Sequence, residues 1–148
     1  MKSLIINTLI LIFFLSACKK DNCTETILTV KHFESEYGCT NTKHTLMIDL
    51  NNTCTLIQSK EDYDSKVTGT CHPDIDFTLY DLVIGKQSSG NLNDTILYDL
   101  RHKCPEDELT LTIDIIQKAL TQPDNVVYHA MIPKLGSGES LKINVNVK

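Results

Sequence analysis

The residues with the clearest chemical potential in this chain are its six cysteines and five histidines. Cys71-His72 and the close pair His102 and Cys104 offer two thiols and two imidazoles, which are ligands that zinc prefers. Neither pair has the usual ligand spacing of about two to four residues, and adjacent residues on a strand point to opposite faces. We therefore expect no metal site and no other cofactor. The remaining histidines are expected on the solvent-facing sides of strands: His32, His44 and His129.

Paired carboxylates and a serine-containing turn are the other candidate catalytic groups. Asp74 and Asp76 lie on one side of an extended segment, where two carboxylates can serve as general acid and base. No aromatic-lined pocket is evident that would raise one of the two pKa values, so we expect solvated loop carboxylates. The run 136–140 lacks the spacing of a nucleophile elbow and precedes a strand, which favours a turn. The run 62–64 lacks the glycine and final glutamate of a calcium loop, so we expect no catalytic residue and no metal.

The elements that must position these residues are mostly strands. Apolar and polar residues alternate over 109–115 and again over 141–147, which indicates strands with one buried face. Weaker β-runs cover residues 27–33, 44–50, 53–58, 77–84, 95–100 and 126–132.

One segment departs from the strand pattern. Ser59 is a candidate N-cap, and Glu61 and Asp62 suit a first helical turn, so a short helix is predicted from Lys60 to about Val67. The fold class predicted from the whole pattern is mainly β: an antiparallel sandwich or partly closed barrel with one short helix.

The strand pattern also predicts a disulfide. Residues 77–84 and 95–100 are expected to form a hairpin that turns through residues 85–90, so that opposed residue numbers sum to about 175. Cys71 and Cys104 fit that sum and would meet at the open end of the hairpin, where a disulfide could link the two strands. We therefore expect the Cys71–Cys104 bond.

The first 17 residues have the features of a secretory signal peptide. A positive start at Lys2 precedes an apolar run of about 12 residues, which is shorter than the roughly 20 residues of a membrane-spanning helix. Leu15-Ser16-Ala17-Cys18 resembles the lipobox of bacterial lipoproteins, in which the cysteine is lipidated and becomes the first residue. The resemblance implies that Cys18 anchors the protein to the cell envelope, with the outer membrane as the expected location. Lys20-Asp21 is similar to the signal that sends some Bacteroidetes lipoproteins to the cell surface.

Three regions are therefore expected: a signal peptide over 1–17, the lipidated cysteine and a polar tether over 18–26, and a single β-rich domain over 27–148. With Cys18 lipidated and Cys23 in the tether, Cys39 and Cys54 are the possible second disulfide. Loss of Lys2 with the signal takes the net charge from −5 to −6. An acidic surface repels phosphate backbones, so nucleic acid is excluded as a partner.

The order of motifs after Leu56 is similar to that of a known family. A short strand and a Ser-capped helix are followed by Asp76-Phe77, a glycine-flanked polar run, and a late strand ending at Ile132-Pro133. This order resembles the C-terminal domain of PrcB-like protease-complex proteins over residues 56–147. The resemblance implies a small exported accessory domain that stabilises or docks onto a partner, such as an envelope protease, without an active site of its own.

We therefore expect a non-enzymatic interaction module that is anchored by Cys18 and binds another envelope protein. A small, polar loop on a rigid hairpin can approach a partner closely, so the expected interaction loop consists of Gly85, Lys86, Gln87, Ser88, Ser89 and Gly90. Two other functions stay open. A carrier of a small apolar ligand would need a hollow between sheets, and an envelope hydrolase would need a cleft with a perturbed acid or nucleophile.

Overall fold

The computed structural model describes residues 24–103 and 108–148, which form nine strands and three helices. The predicted signal peptide, Cys18, Cys23 and Cys104 lie outside the described residues. The helices are α1 (Phe33–Tyr37), α2 (Thr42–Thr45) and α3 (Lys60–Lys66). The strands are β1 (Thr26–Leu28), β2 (Leu46–Ile48), β3 (Thr53–Ile57), β4 (Val67–Gly69), β5 (Tyr80–Ser89), β6 (Asn93–Lys103), β7 (Glu108–Gln117), β8 (Asp124–Pro133) and β9 (Ser140–Val147). Among the described helices, none has the length and apolar character needed to cross a bilayer.

The strands form two main sheets and one small one. An outer sheet has the order β1-β6-β7-β9, a central sheet has the order β3-β5-β8, and β2 pairs with β4. All neighbouring strands are antiparallel except β7 and β9, which are parallel. Val83 of the central sheet and Leu111 of the outer sheet belong to one buried cluster, so the two sheets pack face to face. The prediction of a mainly β sandwich is confirmed, and the described strands form no closed barrel.

The central sheet is buried on both faces. Along β8, Val126, Tyr128 and Ala130 belong to the core against the outer sheet, whereas Val127 and Met131 belong to the core on the opposite face. Successive side chains of a strand point to opposite faces, so a strand between two cores needs apolar residues at nearly every position. This burial explains the nearly unbroken apolar run of β8.

The helices and the small sheet cover the second face of the central sheet. Phe33 of α1, Tyr63 of α3 and Val67 of β4 are fully buried there. The helix predicted from Lys60 to about Val67 is confirmed as α3, and the Ser59 hydroxyl accepts a hydrogen bond from Asp62 N–H at 3.2 Å. This cap satisfies one of the amide donors that a helix leaves free at its start.

A buried carboxylate ties together the ends of all three central strands. Asp81 on β5 has no exposed surface, and its oxygens accept hydrogen bonds from Lys134 Nζ at 2.6 Å, Gln58 Nε2 at 3.0 Å and Leu135 N–H at 3.1 Å. Gln58 follows β3, and Lys134 and Leu135 follow β8. The charge of Asp81 is thus balanced by one ammonium and two neutral donors.

The predicted hairpin of residues 77–84 and 95–100 is wrong. Residues 80–84 lie in β5 and residues 95–100 lie in β6, and these strands belong to different sheets. β5 does not turn at Gly85 but continues to Ser89, paired with β8 along its whole length. A side chain at position 85 would overlap the Tyr128 ring, so this glycine marks the close approach of a ring and not a turn.

Both predicted disulfides are also wrong. Cys71 is bonded to Cys39, with their Cα atoms 5.8 Å apart, and Cys54 is a free thiol on β3. The Cys71–Cys104 bond depended on a hairpin register that does not exist. Gly38 takes a left-handed conformation at the end of α1, and Cys39, the next residue, is buried in the core against which Cys71 packs.

Candidate functional site

The run predicted as an interaction loop is part of a strand, so the prediction that it forms a turn is wrong. Only Gly90 lies beyond the end of β5. Asn52 Oδ1 accepts a hydrogen bond from the Ser88 amide at 2.7 Å, and Asn125 Oδ1 accepts one from the Ser88 hydroxyl. The polar composition arises because β5 leaves the core here and becomes partly exposed. The strand residues of the run are Gly85, Lys86, Gln87, Ser88 and Ser89.

The alternative zinc site of Cys71, His72, His102 and Cys104 is not assembled. The Cys71 sulfur is committed to its disulfide. The His72 ring stacks on Tyr63 with a centroid separation of 4.2 Å, whereas His102 lies on β6 in the outer sheet. Within residues 24–103 and 108–148, no group of three or more potential ligands is arranged to hold a metal ion.

The paired carboxylates lie in an exposed loop, as expected. Asp76 accepts hydrogen bonds from the Thr78 hydroxyl at 2.6 Å and the Thr78 amide at 2.9 Å, and these bonds lower the pKa of Asp76. A general acid near neutral pH needs a shift in the opposite direction. Asp74 is 3.3 Å from Lys60 Nζ on the surface. The run 136–140 forms a turn before β9, in which Glu139 N–H donates to the Gly136 carbonyl at 3.3 Å.

A cleft lies between the helical layer and the outer sheet. It has a volume of about 370 Å³. Its walls come from α1 and the start of α2 on one side and from β6 on the other, and β8 forms its floor. The residues that line it are His32, Glu34, Ser35, Asn41, Thr42, Lys43, Asp94, Thr95, Ile96, Tyr98, Val127 and His129.

The histidines do not occupy the solvent-facing strand positions predicted for them. His129 is on β8 but is only 3% exposed, His32 precedes α1, and His44 belongs to α2. His129 is buried because it lies on the face of β8 that α1 covers. Its Nε2 atom accepts a hydrogen bond from Phe33 N–H at 3.1 Å, and its ring contacts the Phe33 ring at 4.3 Å between centroids.

Glu34 joins this histidine to α2. Its Oε2 atom is 3.4 Å from His129 Nε2, and its Oε1 atom accepts hydrogen bonds from the Thr42 hydroxyl and, at 3.3 Å, from Thr42 N–H. Burial raises the pKa of Glu34, but the proximity of the His129 ring and the hydrogen bonds from Thr42 outweigh it and lower the pKa to about 2. The carboxylate is therefore charged at neutral pH and holds α1 and α2 together.

His32 and Tyr98 form the opposite side of the same network. The His32 ring lies 4.5 Å from the Tyr98 ring, and its Nδ1 atom is 3.3 Å from the His129 carbonyl oxygen. Burial lowers the pKa of His32 and raises the pKa of Tyr98. Both side chains are consequently neutral at pH 7, and the Tyr98 oxygen accepts a hydrogen bond from His129 N–H at 3.3 Å.

The free edge of β8 runs along the floor of the cleft. Met131 exchanges two backbone hydrogen bonds with Lys31, at 3.0 and 2.9 Å. The next outward-facing position, His129, is covered by the side chains of His32 and Tyr98. The outward-facing position beyond His129 is Val127, which is 5% exposed and lines the cleft.

Sequence reasoning missed this cleft because its residues are scattered over α1, α2, β6 and β8. One signal was present: His129 stands inside the run 126–132, where the apolar residues show no alternation. A histidine in a strand buried on both faces must itself be buried and hydrogen-bonded. Comparison of the chain with protein-family models, curated proteins and solved structures finds no match.

Proposed function

We propose that this chain is a lipid-anchored protein of the cell envelope whose β-sandwich domain binds another envelope protein without catalysing a reaction. The observation that carries the proposal is the way in which the cleft uses its titratable groups. His129 Nε2 accepts a hydrogen bond from Phe33 N–H, and the Glu34 carboxylate accepts one from Thr42 N–H. A general base needs a lone pair directed at the substrate, whereas these groups fix the walls of the cleft. Rigid walls of this kind suit recognition.

The envelope location is supported by the lipobox resemblance at Cys18 and by the polar tether. The Cys39–Cys71 disulfide adds independent support, because structural disulfides persist in oxidising compartments. We propose that the lipid on Cys18 anchors the protein in the outer membrane.

The partner proposed is a protein such as an envelope protease, which the domain would stabilise or dock onto. The order of elements that resembles PrcB-like domains supports this role: α3 follows β3, β5 follows the Asp76-Phe77 pair, and β8 ends at Ile132-Pro133. The carrier alternative has less support, because side chains of both sheets, including Val83, Leu111 and Tyr128, fill the space between them.

Site-specific photo-crosslinking in living cells of the native host tests the binding function. A benzophenone amino acid at Thr95, on the exposed rim of the cleft, should crosslink to a second envelope protein. The same probe at Thr68, which is also an exposed threonine on a strand but lies outside the cleft, serves as the matched control. Absence of adducts from Thr95, from Thr68 and from Asn146 on the outer sheet would overturn the proposal. Turnover of an ester or peptide by the purified chain that is lost in His129→Gln would also overturn it.

The anchor requires its own test. Lipidation needs the thiol, so Cys18→Ser should abolish acylation and move the protein out of the membrane fraction or leave an uncleaved precursor. Normal acylation and membrane partition of this variant would contradict the lipoprotein assignment.

A further inference from the structure

At the edge of β8 that faces away from β5, one residue has a backbone donor and acceptor with no partner among the residues that the structure describes. Positions 125, 127, 129 and 131 of β8 share one orientation, and Met131 directs its N–H and C=O away from β5 toward Lys31. Alternation along an antiparallel strand gives Val127 the same outward direction. Within residues 24–103 and 108–148, neither backbone group of Val127 makes a hydrogen bond in that direction.

The uncovered position results from the local course of the chain. The covering segment pairs at Lys31, and its next residue, His32, reaches β8 only through its side chain. Helix α1 then begins at Phe33, and α2, which follows it, packs against β8. A continued strand would have placed a residue opposite Val127, whereas no residue of the described segments pairs with its backbone there.

A buried backbone pair of this kind is uncommon. More than about 90% of buried backbone groups in proteins are hydrogen-bonded, and each exception needs an explanation. The Val127 groups differ from an ordinary exposed edge, because the residue is 5% exposed and has a cleft of about 370 Å³ above it. This volume is within the range of ligand sites, roughly 300–1,000 Å³.

We propose that the cleft binds a short extended peptide segment of the partner, which adds to the edge of β8 and exchanges both backbone hydrogen bonds with Val127. This inference rests on the proposed binding function and specifies how the partner is bound. One peptide residue supplies an N–H and a C=O at the spacing of an antiparallel pair, so it matches both unpaired groups. The added segment would continue the line that Lys31 begins.

The walls of the cleft define the side chain that the peptide carries. Lys43 Nζ has only neutral oxygen partners among the described residues, Asn93 Oδ1 at 3.1 Å and the Asp94 carbonyl at 3.5 Å. A carboxylate on the peptide would complete the pairing of this ammonium. Two carboxylates line the cleft, and neither pairs with Lys43: Glu34 accepts hydrogen bonds from Thr42, and Asp94 lies 3.5 Å from Lys118 Nζ. The peptide proposed is therefore extended and contains an acidic residue next to the one that pairs with Val127.

Amide NMR of the full-length chain in detergent micelles tests the mode directly. The probe is a pool of acetylated and amidated pentapeptides, random except for a central glutamate. Addition of the pool should shift the Val127 amide downfield and slow its hydrogen exchange. The Val126 and Tyr128 amides face β5 and should stay protected throughout, which provides an internal control. The same pool methylated on every backbone nitrogen should lose the effect, and a central lysine should weaken it.

Matched variants locate the site. Thr95→Trp fills the rim of the cleft and should weaken binding of the glutamate pool by about tenfold or more, whereas Thr68→Trp on β4 should leave binding unchanged. No shift at Val127 at millimolar peptide, shifts confined to another face, or full binding by the N-methylated pool would each overturn the proposal. A Val127 shift that appears with protein concentration alone would identify a second copy of the chain as the occupant and would also overturn it.

The two proposals fail in different ways. Adducts from Thr95 in cells, together with an unmoved Val127 amide, would leave the binding function standing and reject strand addition. Absence of crosslinked adducts in cells together with an unmoved Val127 amide would reject the binding function as well.

Discussion

Replacement of Asp81 by asparagine should destabilise this protein more than any exposed charge substitution. The asparagine keeps the shape of the side chain but places an NH₂ group or a neutral oxygen against three donors, from Lys134, Gln58 and Leu135. Removal of one partner from a buried ion pair costs about 3–5 kcal/mol. Lys134 is 35% exposed and can regain part of its hydration, so we expect a loss near the lower limit, about 3 kcal/mol.

Urea unfolding at pH 7 measures this loss of stability. An unchanged slope of the transition would show that unfolding stays two-state. Asp64→Asn is the matched control, because Asp64 pairs with Lys60 on the surface of α3. Exposed pairs of this type contribute little, so its midpoint should stay close to that of the parent chain.

A second variant tests the cause and not only the size of the effect. If the loss arises from an ammonium left without its carboxylate, then Lys134→Met added to Asp81→Asn should restore part of the stability. A single variant that loses less than about 1 kcal/mol would refute the reasoning, because even one hydrogen bond to a charged group is worth more. A double variant with two fully additive losses would also refute it.

Three further predictions concern other parts of the domain. Non-reducing peptide mapping should recover Cys39 linked to Cys71, and serine at either position should lower the free energy of unfolding by about 3–4 kcal/mol in the chain-entropy model; two free thiols would contradict the pairing. The pKa of Glu34 is lowered from 4.5 to about 2, so its stabilising contribution is complete above pH 4.5 and is lost as the pH falls toward 2. Glu34→Gln should therefore be less stable at pH 7 and should converge with the parent chain in acid unfolding, and parallel curves would disprove the assignment. Gly85→Ala introduces a methyl group that overlaps a tyrosine ring and should cost about 1–3 kcal/mol, whereas Gly90→Ala, with open space around it, should be tolerated in thermal melts.

The fold class followed from local pattern, whereas the pairing of strands did not. Alternation over 109–115 and the Ser59 cap report on the immediate chain, and both correspond to observed elements. The partner of β5 depends on contacts with β8, about 45 residues away in the chain, and no local rule ranks that partner above β6.

The candidate site could not be predicted for the same reason, because its residues come together only through contacts between distant segments. Gly85 and His129 show how local sequence misleads. Gly85 is typical of a turn when only its neighbours are considered, because the ring that excludes a side chain belongs to Tyr128 on another strand. His129 was assigned to solvent because histidine is polar, although its burial depends on the position of α1. Burial and close approach are properties of distant segments, so composition alone assigns such residues to surfaces.

The parallel pairing of β7 and β9 has a consequence for how the domain folds. Because β8 lies between them in sequence but in the other sheet, the chain must leave the outer sheet and return before β9 can pair. This excursion spans about 32 residues from Glu108 to its partner Ser140, and closing it costs chain entropy before any contact compensates for it. Until β9 pairs, the edge of β7 that faces away from β6 has no strand partner in the outer sheet and can pair with other molecules. Chaperones would meet the folding chain in this state.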